Sequence, residues 1–268
     1  MQRFAWMLAV GLVGCGDSGA APEAVDPTCL TWCDGFPVIE GCDEASTAQN
    51  SSGADDTGLG LGDDMPLATD VFAIQQGSVD SNIRVLIVGS VVTSPVASDP
   101  TGRGAMFTVA DPAGGPFSGI TVRLNESPAS VDLAPGDEVD IEGNHVKRHL
   151  FSELHARVDN VVLMGEAGLP DPVDVTEAQL ASFVDGGDDA KPYDSVLIRV
   201  IAPEVIDDGT CVGELALRST PIRVDDRFFA AQGEALPPGG LFSEVRGPLL
   251  YTLNGFEIAP RTLGDLGM

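Results

Sequence analysis

Alternating and continuous apolar runs, cut by glycine and proline, organise the chain after about residue 70. Ile83-Arg84-Val85-Leu86-Ile87-Val88, continued by Val91-Val92, is rich in β-branched residues and predicts a long strand. Gly89 inside that run predicts a bulge or sharp coil, because glycine offers no side chain to pack. Ala105–Val109 predicts a second strand, and Gly119–Leu124 a third with Ile120, Val122 and Leu124 on one face. The cluster Asp111-Pro112-Ala113-Gly114-Gly115-Pro116 between them is a turn. Val139 and Ile141 alternate with Asp140 and Glu142, which predicts a half-buried fourth strand, and 154–163 supplies the fifth.

Two short helical signals interrupt the strands. Thr69 or Asp70 can cap a turn at 70–77. In 175–183, Thr176 can cap while Leu180 and Phe183 share a face, so a short helix is expected there. Strand patterns then resume at 195–201, 214–218, 222–224, 242–247 and 256–258.

The two halves echo each other. LAPGDEVDIEG (133–143) aligns with LPPGGLFSEVRG (236–247), with Gly143 on Gly247 at an offset of 104. At the same offset Glu153-Leu154 falls on Glu257-Ile258, and Arg157 on Arg261. Pro135-Gly136 falls on Pro238-Gly239 at an offset of 103, one inserted residue reconciles the two offsets, and matches in order at nearly constant spacing indicate a duplicated unit of about five strands.

A duplicated five-stranded unit with a glycine in its first long strand fits a small Greek-key barrel, the OB-fold. The segments FTVADPAGGPFSGITVRL (107–124), LAPGDEVDIEG (133–143), YDSVLIRV (193–200) and GFEIAPRTLGDL (255–266) resemble the tandem OB-fold domains of exported bacterial lipoproteins. Similar modules are appended to some secreted nucleases. The resemblance covers about residues 75–267 and rests on turn glycines and strand apolars. It implies binding of nucleic acid or saccharide, not chemistry. The expected fold class is therefore all-β: two tandem five-stranded OB-fold-like barrels joined by a short helix, over 70–166 and 167–268.

The first 69 residues read differently. Arg3 precedes an apolar stretch from Phe4 to Val13, too short for a helix to span about 30 Å of hydrocarbon. It reads as a signal-peptide core over 1–14. Leu12-Val13-Gly14-Cys15 resembles the bacterial lipobox, which implies acylation of Cys15 and a chain starting there. Acyl chains hold a protein at a bilayer because each buried CH₂ contributes roughly 0.8 kcal/mol. An exported, lipid-anchored protein at the outer membrane or cell surface is expected. Residues 15–69 carry a cysteine-bearing segment and a Ser/Gly/Asp leash with little to bury. Cys29, Cys33, Cys42 and Cys211 make an even count, which favours disulfides in an exported chain. The spacing C-x3-C-x8-C with no adjacent histidine does not fit a metal site.

Charge narrows the partners. The chain has 41 acidic residues against 14 Lys and Arg, a net −27. Such a field repels polyanions and makes any nucleic-acid binding strongly salt-dependent. A neutral glycan or a protein partner avoids that repulsion.

Signatures of catalysis are lacking. There is no G-x-S-x-G elbow, phosphate-cradling loop or H-E-x-x-H helix. His145, His149 and His155 fall in one polar hairpin, where a barrel rim is the simpler reading than a metal. Asp225 and Asp226 are neighbours in sequence, so on a strand they point to opposite faces. No catalytic set, metal or cofactor is expected. The ligand candidates are Phe107, Phe117 and Arg123, placed on the face of the first unit's second and third strands, with Lys147, Arg148 and Arg157 in the local cluster of cations.

Overall fold

A computed structural model describes residues 65–267, apart from 101, 103, 149, 150, 184–186, 208–212, 219, 253 and 254. All five cysteines, His149, and residues 1–64, with the predicted signal and most of the 15–69 segment, lie outside the described residues. Among those described, no helix is long and apolar enough to cross a membrane.

The first unit opens with β1 (Leu67–Thr69) and α1 (Val71–Gln75). Asp70 caps α1 by accepting the Ala73 amide at 2.7 Å, as the chain's polar-to-apolar switch there predicts. Then come β2 (Arg84–Val92), β3 (Ala97–Ser98), β4 (Ala105–Ala110), β5 (Gly119–Leu124), β6 (Asp137–Arg148) and β7 (Phe151–Glu166). β2 pairs with β4, β4 with β5, β5 with β7 in parallel, β7 with β6, and β6 back with β2. That circuit closes a five-stranded barrel of the OB type, which leaves the sheet no open edge. Gly89 lies where the β2–β6 register shifts, with φ +68°, so the expected bulge is present. Val85, Ile87, Phe107, Val109, Ile120, Val122, Val139, Ile141 and Leu154 fill the interior.

The second unit repeats the plan. It has β8 (Val173–Asp174), α2 (Glu177–Leu180), a 3-10 turn at Lys191–Tyr193, β9 (Leu197–Ile201), β10 (Glu204–Ile206), β11 (Glu214–Leu217) and β12 (Arg223–Asp225). After them come α3 (Arg227–Ala231), β13 (Gly240–Leu241), β14 (Glu244–Thr252), β15 (Gly255–Ile258) and β16 (Leu266–Gly267). Thr176 and Gln179 close a reciprocal capping box on α2, the short helix between the barrels. β9 and β10 form one strand broken at Ala202, whose φ is +51°. The circuit runs β9–β10, β11, β12, β15, β14 and back to β9, again with a single parallel step, β12 to β15. The chain is thus all-β, with two OB-like barrels. The short strands β1 and β8, each parallel to the first long strand of its barrel, extend the repeat N-terminally beyond the matched motifs.

The barrels share a broad seam. Phe107 and Val109 of β4 point into the first barrel, so Met106 points out. It packs with Ala97 against Phe228, Leu250 and Ala259 of the second barrel. Phe151, the first residue of β7, enters the second barrel's core, edge-on to Phe256 at 5.2 Å and against Tyr251 at 4.2 Å. Arg261 is buried, clamps Asp265 through two hydrogen bonds of 2.7 and 2.8 Å, and donates to the Thr93 carbonyl of the first barrel.

Candidate functional site

Pairing parity puts one set of polar residues on the outward face of β5, β6 and β7. Arg123 is opposite His155, Thr121 opposite Glu153, and Arg148 lies on the neighbouring strand. Glu153 is the centre. Its Oε2 lies 2.8 Å from Arg123 Nε, 3.2 Å from His155 Nε2 and 3.5 Å from Arg148 Nε. Burial alone would raise this carboxyl, but hydrogen bonds from His155 and Arg123 and the charges of Arg123 and Arg148 hold it below the usual range. Arg123 also pairs with Asp99 at 2.5 Å, and both carboxylates keep its guanidinium charged despite burial. Of the cations, Arg148 is the half-exposed one, with 54 % of its side chain in solvent.

Across the seam the second barrel carries the matching carboxyl. Glu257 stands on β15, at the place Glu153 takes on β7. It accepts from Thr252 Oγ1 at 2.9 Å and lies near Arg227, which reaches Asp225 at 2.8 Å and Met106 of the first barrel at 3.4 Å. Burial and the Asp225 charge push Glu257 well above the carboxylate range. Burial also acts to raise Asp225, yet Arg227 and the hydrogen bond from Glu257 keep it low. The two carboxyls, hydrogen-bonded to each other, are thus shifted in opposite directions. Asp226 turns the other way and is raised to about 6 by burial and by the charges of Asp225 and Glu214. Sequence reading set Asp225 and Asp226 on opposite faces as strand neighbours, but β12 ends at Asp225 and Asp226 is the N-cap residue of α3. The true partner of Asp225, Glu257, came from the parallel β12–β15 step, and only the repeat offset to Glu153 pointed toward it.

The predicted ligand residues divide. Phe107 is completely buried in the first barrel's core, so its ring has no face for a ligand. Phe117, with φ +66° and its ring half-buried, donates its amide to the Pro192 carbonyl of the second barrel at 2.6 Å. Arg123 is held by two carboxylates. The outward face of β4 and β5, expected to receive a ligand, is instead covered by the second barrel: Met106 is packed away, Thr121 shares a 2.8 Å hydrogen bond with Ser195, and Gly119 lies under the Ser195 carbonyl. Sequence reading set Phe107, which points into the core, on that face with Arg123, and missed the face's occupant, because no local pattern reports which surface a neighbouring barrel will take. Lys147 and Arg157 are exposed. Lys147 reaches over Gly77, on the opposite side of β6 from Arg148, so the cations of 145–157 do not form one patch.

His145 is a core residue. Its Nδ1 meets the Asp80 carbonyl at 2.9 Å and its Nε2 the Ser152 hydroxyl at 3.1 Å, and burial lowers its affinity for a second proton. His145 and His155 face opposite sides of the sheet. Among the described residues, no group of three or more His, Cys, Asp or Glu is arranged to hold a metal ion.

No family model and no curated protein matches the chain. Among solved structures, the chain is similar to the Ifi202 HINa domain in complex with 20-bp double-stranded DNA, at 16% identity and a TM-score of 0.29. The match covers 37% of this chain and 47% of that one, so about half the length of that structure is spanned. A murine DNA-binding protein bound to double-stranded DNA matches at 9% identity and a TM-score of 0.26, over 66% of this chain and 92% of the other. At these scores the likeness assigns no ligand, and the barrel assignment rests on the strand connectivity described above.

Proposed function

We propose that this is a non-catalytic binding protein, tethered outside the cytoplasm through acylated Cys15, that displays two fused OB-like barrels to a glycan, peptide or protein partner. The observation that carries the reading is the state of the described cations. Arg84, Arg199, Arg218, Arg223, Arg227, Arg246 and Arg261 each lie within ion-pair distance of a carboxylate, as Arg123 and Arg148 do. A polyanion would have to break those pairs within a net −27 chain, so an uncharged or basic partner is favoured. Among the described residues, the buried carboxyls Glu153, Asp225, Glu257 and Asp265 lie within ion-pair distance of an arginine, which is an arrangement for packing a seam, while the fifth, Asp194, is not so paired. A second reading, accessory binding of extracellular nucleic acid, draws on the exposed Lys147, Arg148 and Arg157, with Lys147 and Arg148 on opposite sides of β6.

Two experiments test this. Metabolic acyl labelling and membrane fractionation of the full chain and Cys15→Ser examine the tether; label persisting in the variant removes it. Glycan and protein arrays, with mobility shifts on single- and double-stranded DNA at low and moderate salt, examine the partner. A retained DNA shift at moderate salt overturns the primary reading in favour of the second.

A further inference from the structure

Asp194 sits where the two barrels meet. It follows the 3-10 turn at Lys191–Tyr193, bridges to Leu249 and is only 4 % exposed. Its neighbour Ser195 crosses the seam at close quarters. The Ser195 hydroxyl is 2.8 Å from Thr121 Oγ1, and its carbonyl lies so close over Gly119 that a Cβ there would overlap it. From α1 of the first barrel, Gln75 donates its amide to the Gly119 carbonyl at 2.5 Å and also hydrogen-bonds the Asp194 carboxyl. From β7, the Glu153 carboxylate acts on the same group through its charge. Of the side chains that act on Asp194, Gln75, Ser195 and Glu153, only Glu153 is charged, and its sign is the same. Arg123 is committed to Glu153 and Asp99, and among the described residues no cation lies within ion-pair distance of Asp194.

A buried carboxylate acted on by the charge of another carboxylate, with no cation, would be strongly disfavoured against the neutral acid. We propose that this seam is a proton-sensitive joint, held shut by the un-ionised side chain of Asp194 and loosened when that side chain loses its proton. Loosening uncovers the outward face of β4 and β5, the surface the second barrel occupies, so access to it would follow pH.

Burial and Glu153 push the closed-state carboxyl up to about 8, whereas a hydrated carboxyl in the opened seam returns to near 3.8. The closed form therefore binds more protons between those values. The opening constant rises about tenfold per pH unit across that window and levels off beyond it.

Amide hydrogen exchange on the full chain, corrected for intrinsic chemical rates, tests this in segments 117–123 and 192–196. From pH 5 to pH 8 the seam's opening constant in the wild type should rise roughly 10²–10³-fold. In Asp194→Asn it should stay level. A flat wild-type profile, or the same slope in the variant, overturns the proposal. If the variant does not fold, carboxyl carbon NMR of the wild type decides: Asp194 titrating near 8 supports the joint, and titration near 4 sinks it.

Discussion

Gly143 and Gly247, 104 residues apart, take the same place in the two barrels, and neither has room for a side chain. A Cβ on Gly143 would stand 2.8 Å from the His155 carbonyl oxygen, and one on Gly247 would stand 2.5 Å from that of Ala259. His155 and Ala259 are themselves 104 apart. The fourth strand of each barrel thus runs directly beneath the fifth, and the duplication seen in sequence is a duplication of backbone packing.

Gly143→Ala and Gly247→Ala should each destabilise the protein by about 2–4 kcal/mol, because the obstacle is backbone and cannot rotate aside. Urea unfolding measures this. A change below about 0.5 kcal/mol at either position would show that the strands separate more easily than the close approach implies.

Phe151 should couple the barrels in unfolding. It belongs to a strand of the first barrel, yet it packs among Tyr251 and Phe256 of the second. Phe151→Ala should cost about 3–5 kcal/mol. Calorimetry of the wild type should give one transition, with the variant shifted down or split in two. Two well-separated transitions in the wild type would mean that the seam is weak.

The opposite shifts of Asp225 and Glu257 predict unequal substitutions. Glu257→Gln keeps a donor toward Asp225 and should change stability by less than about 1 kcal/mol. Asp225→Asn leaves buried Arg227 without its main counter-charge and should cost about 3 kcal/mol or more. Since Asp225 is held below its unfolded value, its contribution is present at neutral pH and is lost on acidification through its folded-state pKa. Equal costs for the two substitutions would contradict the opposite shifts of the two carboxyls.

Global stability should also carry the mark of Asp194. Its folded value of about 8 lies above the unfolded 3.8, so the folded state holds the extra proton. Stability should therefore fall as pH rises between those values, by at most about 1.4 kcal/mol per pH unit from this group. Above pH 8 the loss is complete. Asp194→Asn should be more stable than the wild type at pH 8 and close to it at pH 4, as chemical unfolding across pH would show. A variant less stable at every pH would mean that the carboxyl is needed in its charged form.

Much of the fold was legible because its signals are local. The capped turns at Asp70 and Thr176 and the β-branched run of β2 each follow from residues within a few positions of one another. So does Gly119–Leu124, where the expected and observed strands coincide. The short strands β1, β3, β8, β10, β13 and β16 were not legible. Strands of two or three residues are too short to show a period, and they exist only because a longer neighbour offers hydrogen bonds. α3 escaped for a similar reason: Phe228 and Phe229 are buried, but Arg227-Phe228-Phe229-Ala230-Ala231 is too brief for a helical face to stand out.

By its order of apolar, glycine and acidic residues, the chain fixed an all-β duplicated module and a strongly anionic surface, since both follow from local preference and from a sum over residues. Folding in three dimensions decided what those residues meet. It turned Phe107 inward, spent the face of β4 and β5 on the second barrel, joined Glu257 to Asp225 rather than Asp226 to Asp225, and buried Asp194 within reach of the Glu153 charge. Each of these depends on contacts between positions tens of residues apart, and the free energy of burying a charge or a ring is set by those distant neighbours, not by the residues on either side.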